Sequence, residues 1–266
     1  NIGVSALSQQ IARLENELAI RLLQRTSRGV TPTSAGLAFY SQAQLALRHA
    51  DDAILAAREA RLSGHVSVGM APSTASVLGV PFINAMRESY PDVRLHLVES
   101  LSGNLERMIN TRQLDLAIVF QQEKILRWSA RPVLEERLFL IGTHALLAPL
   151  QEDHISPDQL TSLPLIMPSQ GHGLRGRLEA VCQQHHLSVE VVADIDGLAL
   201  LMQAVRSGLG ATLQPGAAIS HLDHQALRVI DVVNPILSRP NFLVSLSDDE
   251  LTPAGLAARV ILSKVM

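Results

Sequence analysis

Apolar positions fall into two regimes along this chain, a helical spacing up to about residue 62 and, after it, short apolar runs that alternate with helical segments. Leu7, Ile11 and Leu14 stand at i, i+4 and i+7. That spacing gathers them on one face of a helix and leaves Ser5, Ser8, Gln9 and Arg13 outward. From Ser34 to about Leu62 there is no proline, Gly36 is the one glycine, and Thr33 stands where a helix cap belongs. At about 1.5 Å per residue this predicts a rod on the order of 43 Å, too alanine-rich to stand alone. Leu37, Tyr40, Leu47, Ile54 and Leu55 form its apolar stripe. A stripe of this kind packs against a second copy or back onto its own chain.

After Ser63-Gly64 the period changes. His65–Met70 alternates as a strand does, Pro72-Ser73-Thr74 opens a helix toward Tyr90, Val93–Val98 is a second strand, and Ser102 starts another helix. Asp115–Phe120 is a short apolar run of the kind buried in parallel sheets. A second series follows: strand at Leu163–Met167, helix at Leu174–His185, strand at Ser188–Ala193, helix at Leu198–Arg206 ending by Gly208, strand at Ala211–Gln214. Repeated strand-then-helix units imply an α/β domain. Extended segments are expected near Leu138–Thr143, Arg228–Val233 and Phe242–Leu246, with a final helix from Pro253.

The 266 residues suffice for two or more domains, and 47% hydrophobic with 18% charged residues describes a folded chain rather than a disordered one. No apolar run approaches the roughly 20 residues needed to span a bilayer, and no charged-then-apolar leader opens the chain, so a cytoplasmic location without membrane contact is expected. The single cysteine, Cys182, permits no intrachain disulfide and agrees with that compartment. Net charge is −3, unevenly spread. Arg13, Arg21, Arg25 and Arg28 against Glu15 and Glu17 leave residues 1–32 two charges positive, which puts −5 on the remainder. A basic head on an acidic body confines phosphate contact to one end.

The order Ser5-Ala6-Leu7-Ser8-Gln9-Gln10-Ile11, then Leu14-Glu15, Leu22-Leu23-Gln24-Arg25 and Thr33-Ser34-Ala35-Gly36 resembles the amino-terminal signature of LysR-type transcriptional regulators. Leu23 stands where the family has Phe, and Pro32 where it has Leu. The resemblance implies an α/β protein with an N-terminal winged helix-turn-helix over 1–32, a linker and dimerisation helix over 33–63, and a two-lobed, periplasmic-binding-protein-like effector domain over 64–266. Lobe I would take about 64–138 and 234–266, and lobe II about 139–233. It implies no enzyme and no cofactor. The expected partners are double-stranded DNA, a small organic acid effector, a homodimer or homotetramer, and RNA polymerase. Ser5, Ser8, Gln9 and Arg13 would reach base edges, and Arg28 a phosphate. Family members carry two helices, about 25 residues, before this point, and without them Leu7, Ile11 and Leu14 would lack part of their docking surface.

In open α/β lobes, ligands settle at strand carboxyl ends and helix amino ends, where free N–H groups attract anions. Three such ends carry small polar residues: Ser73 with Thr74, Ser102 with Gly103, and Ser169 with Gln170. The resemblance places them near the family's effector cleft; read alone, each is equally a helix cap. Arg175 could pair with a carboxylate effector or be a surface charge. The stretch 64–79 is similar to regulators of tricarballylate or citrate use. No metal is expected, since the close histidine pairs His185/His186 and His221/His224 have no zinc-ligand spacing. Two α/β lobes alone would equally suit a solute-binding protein. A hydrolase using Ser73 or Ser76 lacks a nucleophile elbow.

Overall fold

The computed structural model describes residues 3–26, 29–58, 62–120, 128–170, 173–220 and 226–266. Helix α1 (Val4–Leu18) is followed by a two-stranded antiparallel wing, β1 (Leu23–Thr26) and β2 (Gly29–Pro32). Helix α2 (Ser34–Arg58) starts as Thr33 predicts, with Thr33 Oγ1 accepting the Gly36 N–H at 3.0 Å. One face of α2 places Leu45 in the core beneath strand β3 (Gly64–Met70), while Leu37, Tyr40 and Leu47 stay exposed. The Ile54 and Leu55 side chains lie outside the described residues.

The remaining chain builds two lobes on one long strand. Lobe I has α3 (Pro72–Ser89), β4 (Val93–Glu99), α4 (Ser102–Asn110) and β5 (Leu116–Val119), with β3 pairing in parallel to both β4 and β5. Strand β6 (Ser129–Thr143) then runs out of this lobe and supplies the spine of the second. Lobe II adds β7 (His154–Ile155), β8 (Pro164–Met167), α5 (Gly173–Gln184), β9 (Glu190–Asp194), α6 (Leu198–Arg206), β10 (Thr212–Pro215) and β11 (Leu227–Val232). The chain returns through β12 (Ser238–Ser245), antiparallel to β5 and β6, and closes lobe I with α7 (Pro253–Val265).

The main sheet runs β4-β3-β5-β12-β6-β11-β7, with β10 also on β6, and β8–β9 form a separate parallel pair. Each lobe covers its sheet on both faces. In lobe I, Val66, Val68 and Met70 of β3 pack with Phe82 of α3 and Ile261 of α7, while Leu105 and Ile109 of α4 seal the opposite face with Leu114. In lobe II, Leu174 and Leu178 of α5 meet Leu138 and Leu140, and Leu201 and Val205 of α6 meet Ile141 and Ile166. Gly208 takes φ +75° just past α6, a left-handed exit that a side chain would resist.

Two expectations are corrected. The extended segment expected from Leu138 begins at Ser129: its first half reads Ser-Ala-Arg-Pro-Val-Leu-Glu-Glu-Arg, and charges with a proline hide a strand that β12 pairs along its length. Leu7, placed by its spacing on the inward face, is 52% exposed, and Ile11 and Leu14 are only half-buried, lining an open groove with Leu22, Phe39 and Tyr40.

Candidate functional site

The head carries the first site. Along α1, Ser5, Ser8, Gln9 and Arg13 are all exposed. Arg13 makes an i,i+4 pair with Glu17 at 3.0 Å, with both side chains mostly in solvent. Such a pair contributes no more than about 0.5 kcal/mol, so it does not hold Arg13 from another anion. Arg28 lies outside the described residues. The wing is fixed to α1 by Glu15, whose Oε1 accepts the backbone N–H groups of Leu22 at 2.7 Å and Leu23 at 2.9 Å. Those two bonds, Leu23's foremost, hold the Glu15 carboxyl below the usual carboxylate range. Behind α1, a groove of about 410 Å³ is lined by apolar side chains including Ile11, Leu14, Leu22, Phe39 and Tyr40.

The second site lies between the lobes. A cleft of about 30 Å³ is lined by Ser73, Leu101 and Phe120 from lobe I, Pro168 and Asp196 from lobe II, and Arg239 from β12, among others. Ser73 is the second residue of α3 and is buried at its amino end. Ser102, the first residue of α4, follows Leu101; its Oγ, like Thr74 Oγ1, is buried with no hydrogen-bond partner among the described residues. Gly103 and Gln170 are exposed. Ser169, half-buried after β8, donates its backbone N–H to Asp196 Oδ1 at 2.9 Å. The three helix and strand ends singled out from sequence therefore border one cleft, but only Ser73 lines it directly; Leu101 and Pro168 stand in for the other two.

Arg175 is not among the residues lining this cleft. It pairs with Glu179 at 2.7 Å and Asp194 at 3.3 Å on lobe II, because its place in the first turn of α5 brings it beside the end of β9. The cleft's arginine is Arg239, which the sequence reading passed over. Its Nη2 donates to Ser73 Oγ at 2.8 Å, its Nε donates to Glu136 Oε2 at 2.8 Å, and its guanidinium carbon stands 3.6 Å from the centre of the Phe120 ring. Asn241 Nδ2 adds a bond to the same Glu136 oxygen at 3.0 Å. Burial works against the charge on Arg239, and Glu136 works for it. Arg239 and Glu136 are direct cross-strand partners on β12 and β6, and one sequence signal existed: a lone arginine heading an apolar strand, opposite a strand with a glutamate pair.

Other chemistry is thin. Among the described residues no group of three or more His, Cys, Asp or Glu gathers to hold a metal, and no helix is long and apolar enough to cross a membrane. Cys182 is buried in lobe II, where burial foremost and the nearby Glu179 push its thiol up, the opposite of an activated nucleophile.

A helix with a polar outward face and a wing, joined by a long helix to two lobes around a buried polar cleft, defines the class of transcriptional regulators that carry a ligand-binding domain. The chain belongs to the LysR family: the bacterial regulatory helix-turn-helix model of the lysR family matches residues 1–37, and the LysR substrate-binding-domain model matches residues 59–264. It is 33% identical to the nitrogen assimilation regulatory protein nac of Escherichia coli over 277 aligned residues, covering 100% of this chain and 87% of that protein. A full-length OxyR variant from Pseudomonas aeruginosa shares the fold, with a TM-score of 0.77 at 20% identity over 99% of this chain and 85% of that one. So does the effector-binding domain of QuiR in complex with shikimate, with a TM-score of 0.68 at 18% identity over 76% of this chain and 96% of that one. The family and the two-lobed fold implied by the amino-terminal signature are thus confirmed, and the solute-binding alternative gives way to a DNA-binding regulator.

Proposed function

We propose that this regulator reads duplex DNA with Ser5, Ser8, Gln9 and Arg13 of α1, assisted by Arg28, and responds to a small organic acid held between its lobes. The observation that carries the second half is the cleft bordered by the amino ends of α3 and α4 and floored by a buried arginine. Helix amino ends and a guanidinium both favour an anion, and the fold relative QuiR is bound to shikimate, itself a carboxylate. Ser73, Thr74, Ser102 and Gly103 on lobe I, with Ser169 and Gln170 on lobe II, are the residues around which the acid would sit. A tricarboxylate fits poorly, because Glu136 already pairs with Arg239 at 2.7 Å and Asp196 adds a second carboxylate to the cleft lining.

Control would operate by population shift: a ligand that prefers one lobe separation biases the arrangement of paired heads and so the DNA contact. The exposed face of α2, with Leu37, Tyr40 and Leu47, supports a homo-oligomer joined through that helix. The protein would act in the cytoplasm, without catalysis of its own, alongside RNA polymerase. Selection of bound sequences from a randomised duplex pool, followed by anisotropy titration with and without organic acids, tests the reading. A preferred sequence whose affinity shifts with one acid is the expected result; binding that ignores sequence would overturn it.

A further inference from the structure

Beside the narrow cleft lies a much larger space. A groove of about 760 Å³ shares Pro72 and Leu198 with the cleft lining and continues along α6. That volume falls within the range of about 300–1,000 Å³ in which proteins hold small molecules, whereas the cleft offers about 30 Å³. Both lobes build the groove. Lobe I gives Pro72 and Ser76 of α3 and Glu99 at the end of β4, and lobe II gives one face of α6 and the short 3₁₀ turn Gly216–Ile219. Ser76 Oγ donates to the Ala217 carbonyl at 3.0 Å, so the two lobes are in hydrogen-bonded contact within the lining itself. The lining also has a direction. Leu198, Met202 and Arg206 stand at i, i+4 and i+8 on α6, a stripe that begins apolar and ends in a cation. At about 1.5 Å per residue that stripe is roughly 12 Å long. Pro72, Ala199 and Ala218 add aliphatic surface, and no aromatic ring stands among the described residues that line the groove. Arg206 is exposed and makes no ion pair with a described residue, although Glu99 lines the same groove.

We propose that this groove is a second small-molecule site, apart from the cleft, and that it takes a medium-chain aliphatic monocarboxylate. The carboxylate lies on Arg206, and the chain runs over Met202 toward Leu198 and Pro72. A guanidinium at the end of an aliphatic wall matches such an acid, because its planar fork takes both carboxylate oxygens while the chain leaves water against methylene and methyl groups. Glu99 on the lobe I side opposes a second negative charge, which favours a monoanion over a dicarboxylate. A ligand so placed touches both lobes, so it favours the lobe separation at which both sets of contacts are made. The site does not depend on the acid assigned to the cleft.

Octanoate, octanamide, suberate and butyrate separate these features, since the first three share an eight-carbon chain and the last shortens it. In calorimetric titration of the full chain, octanoate should bind about five-fold or more tighter than octanamide, its uncharged counterpart, and than suberate, whose second carboxylate meets Glu99. Butyrate should bind about ten-fold or more weakly than octanoate, having lost four methylenes. Arg206→Gln, at an exposed position, should leave the melting temperature unchanged and bring octanoate down to the affinity of octanamide. Ala199→Trp, also exposed, puts a ring into the groove and should abolish octanoate binding in a protein that melts as the wild type does. Absence of octanoate binding, equal affinity for octanoate and octanamide, or wild-type octanoate affinity in either folded variant would overturn the proposal. If octanoate binding is lost in a folded Arg239→Lys variant and kept in Arg206→Gln, the acid sits in the cleft: the groove site falls and the effector reading stands.

Discussion

The carboxylate of Glu15 near the end of α1 accepts the backbone N–H of Leu22 at 2.7 Å, so one side chain joins α1 to the start of the wing. Leu23 donates to the same oxygen, and together they keep the Glu15 carboxyl below its ordinary range. A carboxyl depressed in the fold contributes stability that is present above its unfolded value, about 4.3, and lost as pH falls through the folded one. Protection of the Leu22 and Leu23 amides from hydrogen exchange should therefore decline below about pH 4.3. Glu15→Gln should show weaker protection at neutral pH and no such decline. Parallel pH profiles for the two proteins would refute the role.

Gly36, two residues into α2, leaves room for the wing and for nothing more. A Cβ there would stand 2.0 Å from the Leu22 carbonyl oxygen, a backbone atom already accepting the Thr33 N–H at 2.9 Å. Neither partner can move without breaking the joint, so Gly36→Ala should cost more than the usual overpacking range of about 1–3 kcal/mol. DNA affinity should be lost while the lobes keep their melting transition. Calorimetric scanning beside a DNA-binding assay checks both halves, and retained affinity would show that the joint is looser than this contact.

If α1 reads DNA as proposed, Gln9 and Arg13 can be told apart by what each would touch. Gln9→Ala should relax sequence preference, by about 1–3 kcal/mol of discrimination at one base pair. Arg13→Ala should weaken all sequences alike and lower the salt slope by about one. Affinities on cognate and scrambled duplexes across a salt series distinguish these outcomes, and a specificity change confined to Arg13→Ala would reverse the assignment.

Leu47 is 67% exposed on α2, in line with Leu37 and Tyr40. A carboxylate in a helix–helix seam at that point would be buried unpaired, so Leu47→Glu should dissociate the assembly at micromolar concentration at a cost of several kcal/mol. Sedimentation of the variant beside the wild type is the measurement. An unchanged mass would move the interface elsewhere.

Local chemistry made much of this protein legible in sequence. The 3.6-residue spacing of Leu7, Ile11 and Leu14, the Thr33 cap and the strand-then-helix alternation after Gly64 each depend on neighbours within a few residues, and the elements they indicate match α1, α2 and β3 through β5. The amino-terminal signature is local too, which is why it named the family. The composition of the cleft was not legible, because its decisive contacts are distant. Arg239 meets Ser73 across 166 positions and Glu136 across 103, and those meetings exist only because β12 crosses back from lobe II antiparallel to β6 with Arg239 set opposite Glu136. A shift of one residue in that register would turn Arg239 out of the cleft. Helix and strand periods say which face a residue occupies on its own element; only the pairing of strands, with the burial it imposes, decided that an arginine near residue 240, rather than Arg175, floors the space between the lobes.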